Sequence, residues 1–347
     1  MISRFDNIRV VLAEPKASMR NDIIAALKRI GFRDIVASGN LSTVREAIEE
    51  ESADLLIVDT ALPEGDVNKL IYRMRHGEVG SNPFVVVVTL VTSPTKQLIA
   101  ETIDSGTDDI AVKPFTMDYL CQRILGLTHS RKRFVVTTDY IGPDRRDKRR
   151  MDDDMEIPQT IVPNPLRIRV TGQVGTGKMK RSIETAAANI NEQKVQRHGY
   201  QINYLAERII PALRGGEITD ETTQQLNRLY EVAKDISKRS KGSSFSHVRE
   251  MTMTLVNMVE NVRRDPANAH PMDLNLLEKL AGIIKETFDP ERNEKREKSG
   301  REMEKQRRAQ WAEENRDEFF DDEEGEGDSG DRDPDEMEEE MLAASGG

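Results

Sequence analysis

The stretch DLLIVDT, residues 54–60, decides the fold class of this chain. It contains four large apolar residues, 55–58, and then a carboxylate, Asp59. A short, continuous apolar run is typical of a strand buried on both faces, as strands of parallel sheets are. We therefore predict a parallel sheet around this stretch. Asp59 would stand at the carboxyl end of its strand, where such sheets bind their ligands.

Similar runs lie on both sides of this stretch and alternate with segments of helical periodicity. We predict the other strands at 8–13, 34–39, 83–90 and 109–115. We predict helices at 18–32, 41–53, 67–77, 96–106 and 117–127. Five strand–helix units in this order predict an α/β domain over residues 1–127, with a doubly wound five-stranded parallel sheet and helices on both faces.

Polar side chains stand where four of the five predicted strands end. They are Glu14, Asp59, Thr89 and Lys113. Because the carboxyl ends of parallel strands meet at one edge of the sheet, we expect these side chains to lie close together. Such a set suits phosphoryl transfer: a carboxylate attacks phosphorus, a lysine and a hydroxyl stabilise phosphoryl oxygens, and acids hold a divalent cation. The alternative is that each residue merely ends its strand. That alternative explains one polar residue at a strand end better than it explains such residues at the ends of four strands.

Residues 8–127 resemble the receiver domain of two-component response regulators, which has a flavodoxin-like fold. The resemblance is carried, in order and spacing, by VVLAEPKASMR (10–20), LLIVDTALPEG (55–65), VVVVTL (85–90) and GTDDIAVKPF (106–115). It implies that Asp59 is the phosphorylation site, that Thr89 is the switch hydroxyl and that Lys113 contacts the phosphoryl group. It also implies a histidine kinase or phosphotransfer protein as the phosphoryl donor.

This chain departs from the family pattern at the expected magnesium site. The family usually has two adjacent acids after the first strand, and here the pair reads Glu14-Pro15. The resemblance then implies that Mg²⁺ is held by Glu14, Asp59 and the backbone carbonyl of Ala61, with one negative charge fewer, so a weakened site is expected. The aromatic switch residue of the last strand is replaced by Ile110. Two functions stay open: a regulator phosphorylated on Asp59, and a phosphate-independent pseudo-receiver that acts as a signalling scaffold.

Residues 128–178 are predicted to be a basic linker, largely irregular. Five of the six residues 145–150 are Lys or Arg, but interleaved acids favour a solvated linker over a contact with nucleic acid or anionic lipid. The stretch TGQVGTGKMK (171–180) contains the Gly-x-x-x-x-Gly-Lys of a phosphate-binding loop. Met179 stands where that loop needs a magnesium-binding hydroxyl, and no parallel sheet is predicted around it. Nucleotide binding is therefore not expected.

Residues 179–290 are predicted to form an all-α helical bundle. Helices are expected over 180–195, 201–216, 219–241, 243–264 and 272–288. Their apolar residues recur at i, i+3 and i+4, which is typical of helices that face one another in a bundle. From about residue 219 the region resembles a histidine phosphotransfer domain, on its helix lengths and the tripeptide Lys241-Gly242-Ser243. Lys238 stands where that family has its phosphorylated histidine, which implies a bundle that has lost its acceptor and binds a protein partner.

Residues 291–347 carry a net charge of −12 and are predicted to form a charged helix and a disordered acidic tail. The chain has one cysteine, Cys121, and no apolar run of about 18 residues, so we expect a cytoplasmic protein without a membrane partner. We do not expect nucleic acid as a partner, because the sequence contains no helix-turn-helix pattern with a basic recognition helix. The sequence therefore favours a non-enzymatic signalling regulator whose helical region binds an unknown protein.

Overall fold

The computed structural model describes residues 5–146, 158–172, 176–241 and 248–288. Along the chain these residues form an α/β domain, a small antiparallel sheet and four long helices. The predicted charged helix and acidic tail, residues 291–347, lie outside the described residues. So do residues 147–157 of the predicted linker, with three of its basic residues, and the Gly242-Ser243 of the phosphotransfer-like tripeptide.

The α/β domain has the predicted alternation of strands and helices. Its strands are β1 Arg9–Ala13, β2 Asp34–Ser38, β3 Leu55–Asp59, β4 Val86–Val91 and β5 Asp109–Val112. Its helices are α1 Ala17–Ile30, α2 Leu41–Glu49, α3 Val67–Arg75, α4 Lys96–Asp104 and α5 Met117–His129. The strand order is β2-β1-β3-β4-β5 with every pair parallel. This is the order of a flavodoxin-like doubly wound sheet, and it confirms the predicted fold class.

Strand β3 is buried at every position because both faces of the sheet are covered. Leu56 and Val58 lie in the core that the sheet forms with α2 and α3. Leu55 and Ile57 lie in the core that it forms with α1 and α5. Side chains alternate between the faces of a strand, so a strand between two cores needs an apolar residue at each position. This explains the continuous run that predicted the sheet.

The segment after α5 differs from the predicted irregular linker. Strands β6 Phe134–Val136, β7 Ile141–Pro143 and β8 Gln159–Thr160 form an antiparallel sheet in the order β7-β6-β8. Its buried side chains, Phe134, Val136 and Ile141, share a core with Phe84 of the α/β domain. The runs are too short to reveal strands by their pattern, and their burial comes from contacts with distant parts of the chain. The linker is therefore anchored to the first domain by a core of its own.

Helix α6 Pro165–Thr171 follows the small sheet. It begins with the Asn164 side chain accepting from the Arg167 backbone N–H, and Pro165 occupies the first turn. Leu166 is buried in the core beside α1 and α5. A helix thus precedes the Gly-x-x-x-x-Gly-Lys stretch at the position where a phosphate-binding loop needs a strand.

Four helices complete the described part of the chain. They are α7 Thr176–Arg214, α8 Asp220–Ser240, α9 Arg249–Arg264 and α10 Pro271–Thr287. Each packs against two of the others, so that they enclose one apolar core as a four-helix bundle. Among the described residues, no helix is long and apolar enough to cross a membrane.

The prediction of two separate helices over 180–195 and 201–216 is wrong, because α7 runs through both without interruption. Gly199, in the stretch between the two predicted helices, lies inside α7. A Cβ atom at this position would stand 3.2 Å from Cδ2 of Phe288. The glycine therefore allows the end of α10 to approach α7 closely, and this packing role cannot be distinguished from a helix stop by the local sequence.

Candidate phosphorylation site

Glu14, Asp59 and Lys113 meet at the carboxyl edge of the parallel sheet. Glu14 directly follows β1, Asp59 is the last residue of β3, and Lys113 directly follows β5. The Lys113 Nζ donates to Glu14 Oε2 at 2.5 Å and also to Asp59 Oδ2. Both carboxylates are fully buried, and the lysine side chain is 10% exposed. The structure thus brings three of the sequence-predicted side chains into one hydrogen-bonded cluster.

The two carboxylates keep Lys113 charged. Burial alone would lower the lysine pKa, but its hydrogen bonds to Asp59 and Glu14 outweigh this effect and raise the pKa above its ordinary value. An ammonium group is therefore held within reach of the Asp59 carboxylate. Such a group can stabilise negative oxygens that develop at this edge of the sheet.

Each oxygen of Asp59 has a separate partner. Asp59 Oδ1 accepts from the Ala61 backbone N–H at 2.6 Å, while Oδ2 accepts from Lys113. On the other carboxylate, Glu14 Oε1 accepts from the Lys16 backbone N–H at 3.0 Å. These bonds fix both carboxylates in orientation. They also place the residue whose carbonyl was predicted as a magnesium ligand, Ala61, directly beside Asp59.

Thr89 does not join this cluster. In the pairing of β3 with β4, Thr89 is opposite Val58 and Leu90 is opposite Asp59, so Thr89 lies on the face of the sheet opposite to Asp59. Its buried hydroxyl is hydrogen-bonded to the Thr107 hydroxyl at 2.8 Å. The prediction that Thr89 supplies the hydroxyl of the site therefore disagrees with the structure. Side chains alternate between the two faces of a strand, and Thr89 is on the face away from Asp59.

The hydroxyl at the site belongs to Thr92, which the sequence analysis missed. Strand β4 continues to Val91, and Thr92 is the first residue after it. The Thr92 Oγ1 lies 3.5 Å from Asp59 Oδ2. The signal that could have identified it is the length of the apolar run. Leu90 and Val91 extend the strand past Thr89, so the end of the strand, where site residues stand, comes at Thr92.

The oxygens of this cluster suit a hard divalent cation. Mg²⁺ is commonly held in proteins by one or two carboxylates together with water molecules, and Glu14 and Asp59 supply two carboxylates here. In the described ranges, no group of three or more His, Cys, Asp or Glu side chains is arranged to hold a metal ion. With two carboxylates, the residues present fit a magnesium ion that has few protein ligands.

Behind β4, the Thr89–Thr107 pair borders a buried ionic cluster centred on Asp108. Asp108 Oδ2 accepts from Arg75 Nη2 at 2.9 Å, from Arg131 Nη2 at 3.0 Å and from the Val87 backbone N–H at 2.9 Å. Its other oxygen accepts from Arg131 Nε at 2.8 Å. All three ionic side chains are almost completely buried. Burial lowers the pKa of Arg75 to about 10, so the guanidinium stays charged at neutral pH.

The same cluster connects the sheet to the segment after α5. The guanidinium carbons of Arg75 and Arg131 lie 5.3 and 4.9 Å from the centre of the Phe134 ring, which belongs to β6. Arg145, one of the basic residues of the predicted linker, donates to the backbone carbonyls of Thr107 and Asp108. Arg145 therefore binds the α/β domain, whereas the sequence predicted that it was solvated, and Lys148, Arg149 and Arg150 lie outside the described residues.

The comparisons with known proteins agree with this geometry. The profile of the family described as "Response regulator receiver domain" matches residues 10–125. The transcriptional regulatory protein PdtaR of Mycobacterium tuberculosis is 27% identical over 116 residues, which are 33% of this chain and 54% of PdtaR. The virulence transcriptional regulatory protein PhoP of Salmonella typhimurium is 28% identical over 120 residues, 35% of this chain and 51% of PhoP. The chain thus spans about half the length of these curated relatives.

Two solved structures are similar to the same part of the chain. A response regulator from Thermotoga maritima has 26% identity and a TM-score of 0.31, over 35% of this chain and 98% of that one. The receiver domain of the sensor histidine kinase PA1611 from Pseudomonas aeruginosa, with a magnesium ion coordinated in its active-site cleft, has 24% identity and a TM-score of 0.31 over 34% and 94%. The family match, the strand order and the cluster at the sheet edge lead to one conclusion: residues 10–125 are a response regulator receiver domain, a module of a non-enzymatic signalling family.

Proposed function

We propose that this protein is a two-component phosphorelay response regulator, phosphorylated on Asp59 by a histidine kinase or phosphotransfer protein. The observation that carries the proposal is the cluster of Glu14, Asp59 and Lys113 at the carboxyl edge of the sheet. The helical region carries the output by binding a protein partner. Support for this second part comes from the four-helix bundle and from Lys238, which stands where a phosphotransfer domain would need a histidine.

In this proposal Asp59 is the nucleophile. One of its carboxylate oxygens attacks the phosphorus of the donor phosphohistidine, the P–N bond breaks, and the imidazole leaves with the electron pair of that bond. The Ala61 N–H and the Lys113 ammonium hold the carboxylate in position before the attack. After the transfer, Lys113 donates to a phosphoryl oxygen and Glu14 keeps the lysine side chain oriented. Mg²⁺, when bound by Glu14, Asp59 and the Ala61 carbonyl, supplies positive charge that offsets the phosphoryl charge.

We assign the hydroxyl role at this site to Thr92. Its Oγ1 is 3.5 Å from Asp59, whereas the Thr89 hydroxyl is bonded to Thr107 on the other face of the sheet. A phosphoryl group on Asp59 would extend outward from the carboxylate, toward the exposed segment that follows β4. A hydroxyl on that segment can donate to a phosphoryl oxygen, and one buried behind the sheet cannot.

The alternative function is a phosphate-independent pseudo-receiver that acts as a signalling scaffold. Two observations favour it: Pro15 replaces an acid of the family pattern, and Lys113 already bridges both carboxylates. We do not extend the transcriptional role named for the relatives to this chain, because those matches cover about half of each relative. The two functions differ in one testable property, the formation of an acyl phosphate on Asp59.

The deciding experiment incubates the full chain with acetyl phosphate and Mg²⁺ and locates any acyl phosphate by peptide mass spectrometry. Wild-type protein and Asp104→Asn, a matched change at an exposed carboxylate of α4, are expected to be modified on Asp59. Asp59→Asn is expected to remain unmodified. If the wild-type protein stays unmodified at saturating Mg²⁺, the phosphorelay function is wrong and the scaffold function is favoured.

A further inference from the structure

A buried lysine, Lys194 of α7, connects the small sheet to the helical bundle. The residue is 1% exposed, and its Nζ donates to the backbone carbonyls of Thr137 and Thr138, at 3.0 and 2.7 Å, in the turn between β6 and β7. One helical turn earlier, Ile190 packs on side chains of β6 and β7, while the neighbouring Val195 belongs to the core of the bundle. Lys194 therefore ties the turn to α7 at the point where this helix passes from the small sheet into the bundle.

The acids near Lys194 are already paired with arginines. Asp139, in the same turn, and Asp235, on α8, both act electrostatically on the lysine. Asp139 forms an ion pair with Arg228, and Asp235 forms one with Arg239. Arginine does not lose its proton in proteins, so the two guanidinium groups match the two carboxylates in charge. A protonated Lys194 is then the cation in excess within this group of five side chains, and among the described residues it forms no ion pair.

Both the hydrogen bonds and the electrostatics favour the neutral form of Lys194. An ammonium group has three donors, whereas a neutral amine has two. The two carbonyls of the turn accept two bonds, and no third bond from Nζ is found among the described residues. Burial, helped by Arg239 and Arg228, lowers the pKa of Lys194 to about 7, although Asp235 and Asp139 oppose this effect. The lysine therefore changes charge near neutral pH.

The other titratable groups around Lys194 keep their charge state between pH 7 and 9. The two aspartates are carboxylates throughout this range. Burial lowers the pKa of His76, at the end of α3, to about 3, and it lowers the pKa of His198, on α7, below the ordinary 6.5. Burial raises the pKa of Tyr72, which stacks on His76, above 10. Among the described residues of this junction, Lys194 is therefore the group whose charge changes in this range.

We propose that Lys194 is a pH-sensitive contact that holds the β6–β7 turn, and with it the receiver domain, against the helical bundle. The charged form is solvated better by water than by two carbonyls beside two guanidinium groups, so protonation favours a junction that opens to water. With a pKa of about 7, about a quarter of the molecules carry this proton at pH 7.5 and about three quarters carry it at pH 6.5. The protein would thus respond to acidification independently of phosphorylation on Asp59.

The first test measures the titration of Lys194 directly. The full chain is labelled with ¹³C at lysine Cε, and NMR follows every lysine signal as the pH is raised from about 6 to about 11. The signal that is absent from Lys194→Met is expected to have a midpoint near pH 7. A midpoint near 10, which is ordinary for lysine, would overturn the proposal. If Lys194→Met does not fold, the wild-type spectrum still decides, because the absence of any lysine midpoint below about 9 has the same meaning.

The second test measures the opening of the junction by amide hydrogen exchange. The Thr137 N–H donates to the Tyr140 carbonyl across the turn, and its protection factor gives the ratio of closed to open molecules. The open form binds more protons between pH 7 and about 10.5, so closure strengthens as the pH rises through this range. The ratio is expected to rise about fivefold from pH 7 to 8 in the wild type. The same rise is expected in Lys238→Met, which removes an exposed cation that pairs with Glu78 of the receiver domain, and no rise is expected in Lys194→Met. Equal pH dependence in the wild type and Lys194→Met contradicts the proposal.

Discussion

Asp108→Asn is expected to lower the free energy of unfolding of the receiver domain by about 3–5 kcal/mol, the usual cost of breaking a buried ion pair by removing one partner. Asp108 accepts four hydrogen bonds, three of them from the guanidinium groups of Arg75 and Arg131. An asparagine keeps the size of the side chain but loses its charge, and its amide nitrogen would face guanidinium donors. Two buried cations would then lack a counter-charge, and the support for Phe134 would weaken with them.

Urea unfolding followed by far-UV circular dichroism measures this effect. The only tryptophan, Trp311, lies outside the described residues, so its fluorescence is not a reporter of this domain. Asp118→Asn is the matched control, because Asp118 pairs with Arg29 on the surface with both side chains exposed, and its loss should cost at most about 1 kcal/mol. If Asp108→Asn costs no more than Asp118→Asn, the buried cluster does not stabilise the domain.

The same cluster predicts how stability depends on pH. Burial would raise the pKa of Asp108, but Arg131 and Arg75 outweigh it and hold the pKa below the ordinary value of 3.8. A carboxylate with a lowered folded-state pKa stabilises the protein fully above its unfolded-state pKa, and this stabilisation is lost as the pH falls through the folded-state pKa. The difference in unfolding free energy between wild type and Asp108→Asn should therefore be constant near neutral pH and shrink only in acid below the ordinary aspartate range.

Three further predictions address the site and the backbone. Thr92→Ala should slow phosphorylation of the protein by acetyl phosphate, while Thr89→Ala should leave the rate close to that of the wild type; the reverse order of rates would contradict the assignment of the hydroxyl. Pro15→Asp restores the missing acid and should lower the Mg²⁺ concentration needed for half-maximal phosphorylation, and an unchanged requirement would show that the charge at this position does not limit binding. Placing a side chain at a positive φ costs about 1–3 kcal/mol of unfolding free energy. Gly80→Ala should cost more than this in urea unfolding, because the new Cβ would also lie 2.4 Å from a carbonyl oxygen of α2. Gly77→Ala is the control: it has a similar φ and open space around the new Cβ, so it should show only the cost of the φ angle.

The parallel sheet was predictable because its signal is local. Each central strand is a continuous apolar run, as in Leu55–Val58, and only burial on both faces requires such a run. The position of Asp59, Glu14 and Lys113 followed from the strand ends alone. Thr89 was misplaced because it lies inside β4, three residues before Thr92, and side chains an odd number of residues apart on a strand point to opposite faces.

The remaining features depend on contacts that are distant in sequence. Arg75, Asp108 and Arg131 are isolated charges in the sequence, and only the folded sheet brings them together around Phe134. The short strands β6 and β7 likewise owe their burial to Phe84 and to α7. A segment rich in Lys and Arg was therefore interpreted as solvated, although Arg131 and Arg145 bind buried backbone and carboxylate groups.

The continuity of α7 has a mechanical consequence. Ala186 and Ile190, in its first half, pack on the core around Phe84 and Phe134, while its second half contributes Ile202 and Ile209 to the bundle. No flexible joint separates these halves, and a helix of 39 residues is about 58 Å long. If it turned as a rigid body, a rotation of about 5° at the receiver end would carry its far end through about 5 Å. A protein bound to the bundle would then experience a larger displacement than the rearrangement beside Phe134 that caused it.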